Sequence, residues 1–361
     1  MSVGMEKSAI ETPALLIDLD AFESNIRKMS EYFRGKSCRL RAHAKTHKSP
    51  LIAQKQIAAG AVGVCCQKLG EAEVMVNGGV KDILITNEIV EPSKIERLIS
   101  LNRYADVKVA VDNIHVARAT ATLAKKQGVK QGVVVEVDVR DKRCGVRPGR
   151  PAVDFAREVA KLDGLDFRGV MGYEGPFLDV PDFDQRKTGA RELLARLTDT
   201  VEMIRKKGLE VQIVSAGSTG TFNIAGEFSG VTEVEAGSYV FMDSTYRKLQ
   251  HLGFDCSLSV LATVISRPIP ERVIVDVGWK SITTEFGMPE AEGVENGKLT
   301  RLSEEHGVIT VEPAVRTNVG DKIELIPSHC CTTVNLHDSY FGMRKGHVET
   351  IWPILPRRKS E

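Results

Sequence analysis

A chain of 361 residues, with 42% hydrophobic and 27% charged side chains, has the make-up of a globular protein. That length suits about two domains, or one barrel with an appendage. A formal net charge of +1 removes any bulk electrostatic case for nucleic acid or an acidic membrane surface as partner. No run reaches the length of a membrane span, and residues 1–12 lack the apolar stretch of a secretory leader. Seven cysteines, among them the adjacent pairs Cys65-Cys66 and Cys330-Cys331, suit a reducing compartment better than a disulfide framework. A cytoplasmic, enzyme-sized protein is expected.

Residues 14–19 read as a short apolar strand, and Asp20 as the cap of a helix running to about Tyr32. Strand-like runs follow at 40–45, 63–67, 82–86, 107–112, 132–139, 167–173, 211–216 and 231–236. Between them lie segments of helical periodicity such as 50–59, 92–101, 113–126 and 184–207. The pattern predicts an α/β protein with a parallel (β/α)8 barrel; a doubly wound open sheet shares that pattern and is the alternative. The barrel is favoured by where polar residues gather. They recur at strand C-terminal ends: His43 and Lys45, Gln67, Asn87, Asp112, Arg143, Tyr173, Ser215 to Thr219, and Gly237 to Tyr239. In a barrel these ends converge on one mouth. From about Ser257 the texture changes to strand-like runs at 257–266, 272–277, 307–311, 322–326 and 347–352, broken by Pro and Gly turns without helical segments. A C-terminal all-β domain follows from that. The expected division is 13–245 for the barrel and 246–361, with 1–12, for the β-domain. The strand at 14–19 is surplus to the eight and available to pair with the second domain.

The segment from Arg41 to Pro50 holds Arg41, His43, Lys45, His47 and Lys48. A solvated basic face is the ordinary reading of such a run. Against it, His43 and Lys45 alternate on one face of a strand end, and Pro50 opens a helix. A lysine there, beside imidazoles, is positioned to act as a Schiff-base nucleophile or general base. The run Gly217-Ser218-Thr219-Gly220-Thr221 directly follows an apolar strand, and Gly237-Ser238-Tyr239 follows the next. Neither has dinucleotide-fingerprint spacing, and either alone is an ordinary tight turn. As a pair after the seventh and eighth strands, they suit a single phosphate held by backbone N–H groups. A phosphate held opposite a strand-end lysine points to pyridoxal phosphate. Arg143 ends the longest apolar strand. A single arginine there is ordinarily a surface charge, but on the barrel reading it faces the mouth, aimed at the cofactor's phenolate oxygen. His329 and Cys331, spaced i, i+2, share a face if they lie on a strand. An imidazole and a thiolate favour zinc, with manganese or magnesium as alternatives; a buried histidine beside a buried cysteine is the bland reading. His337-Asp338 and Glu305-His306 are further polar candidates.

Over nearly its whole length the chain resembles the D-threonine aldolase / D-serine dehydratase group of pyridoxal-phosphate enzymes, which share the alanine-racemase-like fold. The carriers include Thr12-Pro13, the Arg41 to Lys48 motif, Val64-Cys65-Cys66-Gln67-Lys68, Thr86-Asn87-Glu88, Arg143-Cys144-Gly145-Val146, Ala236 to Asp243, Glu305-His306-Gly307, and Pro327 to Asp338. The resemblance implies covalent anchoring of pyridoxal 5'-phosphate at Lys45. It implies cofactor contacts from Gln67, Arg143, Tyr173, Ser218, Thr219, Gly237, Ser238 and Tyr239, and a divalent metal at His329 and Cys331. His43 and Asp179 join Lys45 as candidate catalytic residues. A homodimer acting on a small D-amino acid is implied as well. The aldolases of this group carry aspartate at the position of Cys331, which is the dehydratase pattern, and tend to carry histidine where Asp179 stands. The remaining motifs are aldolase-like. The expected activity is metal-dependent cleavage of D-3-hydroxy amino acids to glycine and an aldehyde. D-serine or 3-hydroxy-D-aspartate dehydration is the near alternative. Racemase activity and a non-catalytic cofactor-carrier role are the more distant readings.

Overall fold

The structure, a computed structural model, describes every residue except Met1, Asp141, Pro176, Leu178 and Asp179. The candidate base Asp179 therefore lies outside the described residues. The chain forms two compact units. One comprises Met1–Met29, Thr46–Ser49 and Ser238–Arg358; the other comprises Ser30–Lys45, Pro50–Gly237 and Lys359–Glu361.

The first strand, β1 (Ala14–Asp18), belongs to the former unit. The helix after it begins at Leu19, two residues earlier than a cap at Asp20 implies. Asp18 rather than Asp20 sits at its head, since Asp18 Oδ1 accepts the N–H groups of Asp20 (3.0 Å) and Ala21 (3.1 Å).

The barrel unit contains β2 (Arg39–His43), β3 (Gly63–Cys66), β4 (Asp82–Glu88), β5 (Asp106–Val111), β6 (Gln131–Glu136), β7 (Leu165–Met171), β8 (Ile213–Ala216) and β9 (Glu233–Val234). They close in that order into a barrel, every neighbouring pair being parallel, and β9 returns to β2 with Arg39 opposite Glu233. Strands covered on both faces read as continuous apolar runs, and β6 is buried at every position. The register sorts the inward side chains into layers. At the N-terminal end Arg41, Asp82, Lys108 and Glu233 form an ionic floor. Above it Cys65, Leu84, Ala110, Val134, Met171 and Ile213 form an apolar cluster with one residue from each of six successive strands. Polar residues return at the C-terminal ends. Arg41, legible in the sequence only as part of a basic cluster, thus serves the floor and not the mouth. Gly63 makes room for it, because a Cβ there would meet Arg41 Nη1 at 2.8 Å and the Asp82 carbonyl at 2.3 Å.

The other unit adds β10 (Leu258–Ile269), β11 (Arg272–Val275), β12 (Glu290–Glu292), β13 (Lys298–Leu302), β14 (Gly307–Thr310), β15 (Lys322–Ile326), β16 (Ser339–Arg344) and β17 (His347–Pro353). The sheet runs β13-β14-β11-β10-β1-β16-β17, with β15 pairing with β10 and β12. β1 lies antiparallel to β10 and parallel to β16. Ile10, Ala14, Leu16, Leu261, Phe341, Met343 and Val348 pack together here. One element contradicts the all-strand expectation, a short helix at Cys330–Val334. Among the described residues no helix is long and apolar enough to cross a membrane.

Candidate active site

In the barrel unit β2 stops at His43, so Lys45 stands on the turn that follows and not on the strand itself. Strand-type pairing runs one residue further. His43 N–H donates to Ala236 O (3.0 Å) and Ala44 N–H to Cys65 O (2.8 Å) before the chain turns. The consequence is a division of environment. Lys45 is exposed, whereas His43 is 5% exposed. His43 Nε2 lies 3.3 Å from Thr86 Oγ1, whose hydroxyl also donates to Gln67 Oε1 (3.3 Å). Gln67 Nε2 donates to Thr86 O (2.9 Å), which ties three strand ends into one polar chain.

Carboxylates that sequence reasoning did not single out line the same end. Ser215 Oγ donates to Glu235 Oε1 (2.7 Å). Burial pushes the Glu235 carboxyl up to about 6, while Ser215 and the nearby charge of Lys45 act in the opposite direction. Glu136, on the last residue of β6, is 4% exposed. Its carboxyl stands far above the usual range through burial first and then the neighbouring Glu88. Arg143 Nη2 lies 3.8 Å from Glu136 Oε1, and its guanidinium covers the Tyr173 ring at 5.5 Å. The structure therefore brings Arg143 and Tyr173 together at this end, as a stacked pair. The only sequence signal for the glutamates was their place at strand ends. Acidic residues there look no different from surface ones.

The 217–221 turn follows β8, with Gly217 at φ +84°. That left-handed backbone suits glycine, and a Cβ would in addition meet Ala225 and Val234 side chains at 3.0 Å. Gly217 N–H donates to Glu174 Oε2 (2.9 Å) and the Thr221 hydroxyl to Glu174 Oε1. Ser218 N–H is also engaged inside the turn, on Thr221 Oγ1 (3.0 Å). The second candidate turn is split. Gly237 belongs to the barrel unit, whereas Ser238 and Tyr239 are buried in the other, in a short 3-10 turn at Ser238–Val240.

In that other unit His329 is extended (φ −144°, ψ 131°) and Cys331 sits in the first turn of the helix it precedes. The shared strand face expected for the pair is therefore wrong. The chain turn brings the donors together instead, and ligand atoms of His329, Cys330 and Cys331 all lie within 4.8 Å of one another. His329 Nδ1 is 3.0 Å from Asp243 Oδ2. A carboxylate oxygen accepts, so Nδ1 carries the proton and Nε2 is left for a ligand. Asp243 is fully buried, and its oxygens also take the N–H groups of Thr245 (3.1 Å), Tyr246 (2.8 Å) and Cys330 (3.2 Å). Burial opposes a charge on His329, yet Cys331 and Asp243 outweigh it and raise the imidazole to about 10, so a cation taken at Nε2 would have to displace a proton there. Burial pushes the Cys330 thiol well up, whereas Cys331 is only half-buried. Cys331 Sγ lies 3.3 Å from Thr46 Oγ1 and 3.9 Å from Ser238 Oγ. The other polar candidates stand apart from this cluster. His337 Nε2 donates to Ser281 O (2.7 Å), and Glu305 pairs with Lys280 (2.6 Å).

Residues 17–245 match the family model described as alanine racemase, N-terminal domain, and residues 257–343 match that of a putative serine dehydratase domain. A 3-hydroxy-D-aspartate aldolase of Paracoccus denitrificans (strain Pd 1222) is 37% identical over 99% of this chain and 95% of its own. A D-threo-3-hydroxyaspartate dehydratase of Delftia sp. (strain HT23) is 31% identical over 96% of this chain and 97% of its own. The crystal structure of D-threonine aldolase from Filomicrobium marinum matches with a TM-score of 0.97 at 38% identity, covering 100% of both chains. With both domains matched in order and such relatives spanning nearly the whole chain, this protein belongs to the family of D-threonine and 3-hydroxy-D-aspartate aldolases and their dehydratase relatives, built on an alanine-racemase-type barrel.

Proposed function

We propose that the protein is a pyridoxal-phosphate- and divalent-metal-dependent lyase of the D-threonine aldolase type, which cleaves D-3-hydroxy amino acids to glycine and an aldehyde. One observation carries the reading: the chain carries both an exposed lysine, on the turn after β2, and a His329–Cys331 donor pair oriented by a buried aspartate. Aldol cleavage is preferred to dehydration because the aldolase relatives stand at 37% and 38% identity and the dehydratase at 31%.

The residues present fit both groups. Lys45 offers an accessible amine. In the 217–221 turn the N–H groups of Gly217 and Ser218 are engaged on Glu174 and Thr221, so a phosphate would be received by the rest of the turn and not by these two donors. An imidazole nitrogen and a thiolate make a donor set of zinc type. When bound, the cofactor supplies a sink for the electrons of the breaking Cα–Cβ bond, and the cation polarises the β-hydroxyl. The chain's own groups do the rest. Lys45 would anchor the cofactor, and Glu235 lies near enough to feel its charge before the bond forms. Arg143, held over the Tyr173 ring, would supply a cationic partner for the cofactor ring's oxygen. The polar chain of His43, Thr86 and Gln67 orients donors beside it. Ser218, Thr219, Gly237, Ser238 and Tyr239 complete the proposed cofactor set, and Asp179 is kept on sequence grounds as a candidate catalytic residue that, with Cys331, leans toward dehydration. Asp243 holds His329 through Nδ1, so Nε2 would be the nitrogen that ligates the cation. The same reading carries zinc as the metal, a homodimer as the assembly and the cytoplasm as the compartment.

Cys331 favours a second reading, dehydration, because a soft thiolate ligand accompanies the dehydratase pattern. The two are separated by supplying D-threonine and D-serine with cofactor and zinc. Glycine with acetaldehyde from D-threonine supports the aldolase; ammonia with 2-oxobutyrate or pyruvate supports the dehydratase. No turnover of either, in protein that binds no metal, would point to a cofactor carrier.

A further inference from the structure

The helix Phe183–Arg205 carries Arg186 in its first turn, and that arginine is 0% exposed. Removing a guanidinium from water is costly unless its N–H groups are satisfied. Arg186 Nε donates to Gly220 O (2.9 Å), and Nη1 donates to Val180 O and Pro181 O (both 2.9 Å). It thus spans two loops at the C-terminal end of the barrel. One is the 217–221 turn; the other is the chain leading into the helix from the segment after Tyr173. The turn is pinned from its other side by Glu174, also buried, which takes Gly217 N–H and the Thr221 hydroxyl. Anchoring the ends on a carboxylate and the Gly220 carbonyl on a guanidinium leaves the turn little freedom to rotate a peptide plane. The consequence for an anion is specific. A carbonyl oxygen facing a phosphate repels it, and Arg186 holds the Gly220 oxygen on itself. Arg186 touches the turn itself, and because the Glu174 carboxyl lies on the same turn its effect is to orient the Gly220 peptide and not to add net charge.

We propose that Arg186 is a positioning residue for the cofactor's phosphate: through the Gly220 carbonyl it keeps the 217–221 turn in its anion-receiving form, and through Val180 and Pro181 it ties the neighbouring loop to that same turn. The proposal rests on the pyridoxal-phosphate reading above. Neither the motif nor the family comparisons single Arg186 out; its burial and its carbonyl partners do.

The test compares two ligands that differ only in the phosphate. Full-length apoprotein, as wild type, Arg186→Lys and Arg186→Met, is titrated with pyridoxal 5'-phosphate and with pyridoxal, following the absorbance of the Lys45 adduct. Lysine keeps a charge but not the fork, so it remains informative if the methionine variant does not fold. The expected result is that both variants weaken pyridoxal 5'-phosphate roughly tenfold or more while pyridoxal stays within about twofold of wild type. Saturating cofactor should recover much of the activity. Equal losses for the two ligands, or no loss, would overturn the positioning role and leave Arg186 a purely structural residue. If wild type itself does not prefer the phosphorylated ligand, the phosphate reading of the turn fails first, and the proposal fails with it.

Discussion

Lys45 and Asp243 act by different means and make different predictions. Lys45 is the covalent anchor, so Lys45→Ala should abolish the cofactor's visible band and lower turnover by about a thousandfold or more. A band that survives the change would refute the assignment. Asp243 touches the proposed cation only through His329, whose Nδ1 it holds at 3.0 Å. Asp243→Asn should leave the fold in place and weaken metal binding by about 10- to 100-fold, read by competition against a chromophoric chelator. Unchanged affinity would mean that His329 needs no such orientation. The sequence was unequal for these two residues. Lys45 stood out because basic and imidazole residues crowd around it. Asp243 ends the Ala236 to Asp243 motif, but nothing in that motif shows its partner, since His329 lies 86 positions later. Glu174, Glu235 and Arg186 were silent for the same reason: their meaning lies in contacts between strand ends and loops that no local pattern records.

The strands that close the barrel are held by charge at one end and charged with protons at the other. Arg41 is 1% exposed and grips Glu233 through Nε (2.8 Å) and Nη2 (2.7 Å), joining β2 to β9 where the barrel closes. Arg41→Met leaves Glu233 and Asp82 without that partner, and a loss of about 3–5 kcal/mol is expected in urea unfolding. A loss below about 1 kcal/mol would show that the closure does not depend on the pair. At the opposite end Glu136 binds its proton more tightly in the folded chain than in the unfolded one, through burial and Glu88. The folded state therefore holds the extra proton above the ordinary carboxylate range, and stability falls as pH rises through that window. Glu136→Gln, which mimics the protonated form, should flatten the fall in thermal midpoint between about pH 5 and 8. Parallel curves for the two proteins would contradict it. Strand positions were legible from continuous apolar runs, because a parallel sheet buries both faces. The helix Cys330–Val334 was not. Its sequence of Cys, Thr and Val reads as strand on propensity, and the Asp243 contacts to His329 and Cys330 override that local preference.

At the scale of the molecule, the pattern of eight β/α units with polar residues at the strands' C-terminal ends was enough to choose the barrel over an open sheet, since only closure makes all those ends useful. The change to Pro- and Gly-punctuated strands marked the second architecture. What the pattern could not supply was the chemistry, because a cofactor lysine and a cation pair of this kind serve both C–C and C–O bond cleavage. Whole-chain similarity weighs toward the aldolases and Cys331 toward the dehydratases. The most direct test is a proton NMR time course of D-threonine with the zinc- and cofactor-loaded enzyme, followed by the same run after chelation. Aldol cleavage requires one glycine for each threonine consumed, with no ammonium, and a rate that falls away with the metal. Ammonium and 2-oxobutyrate in place of glycine would contradict it.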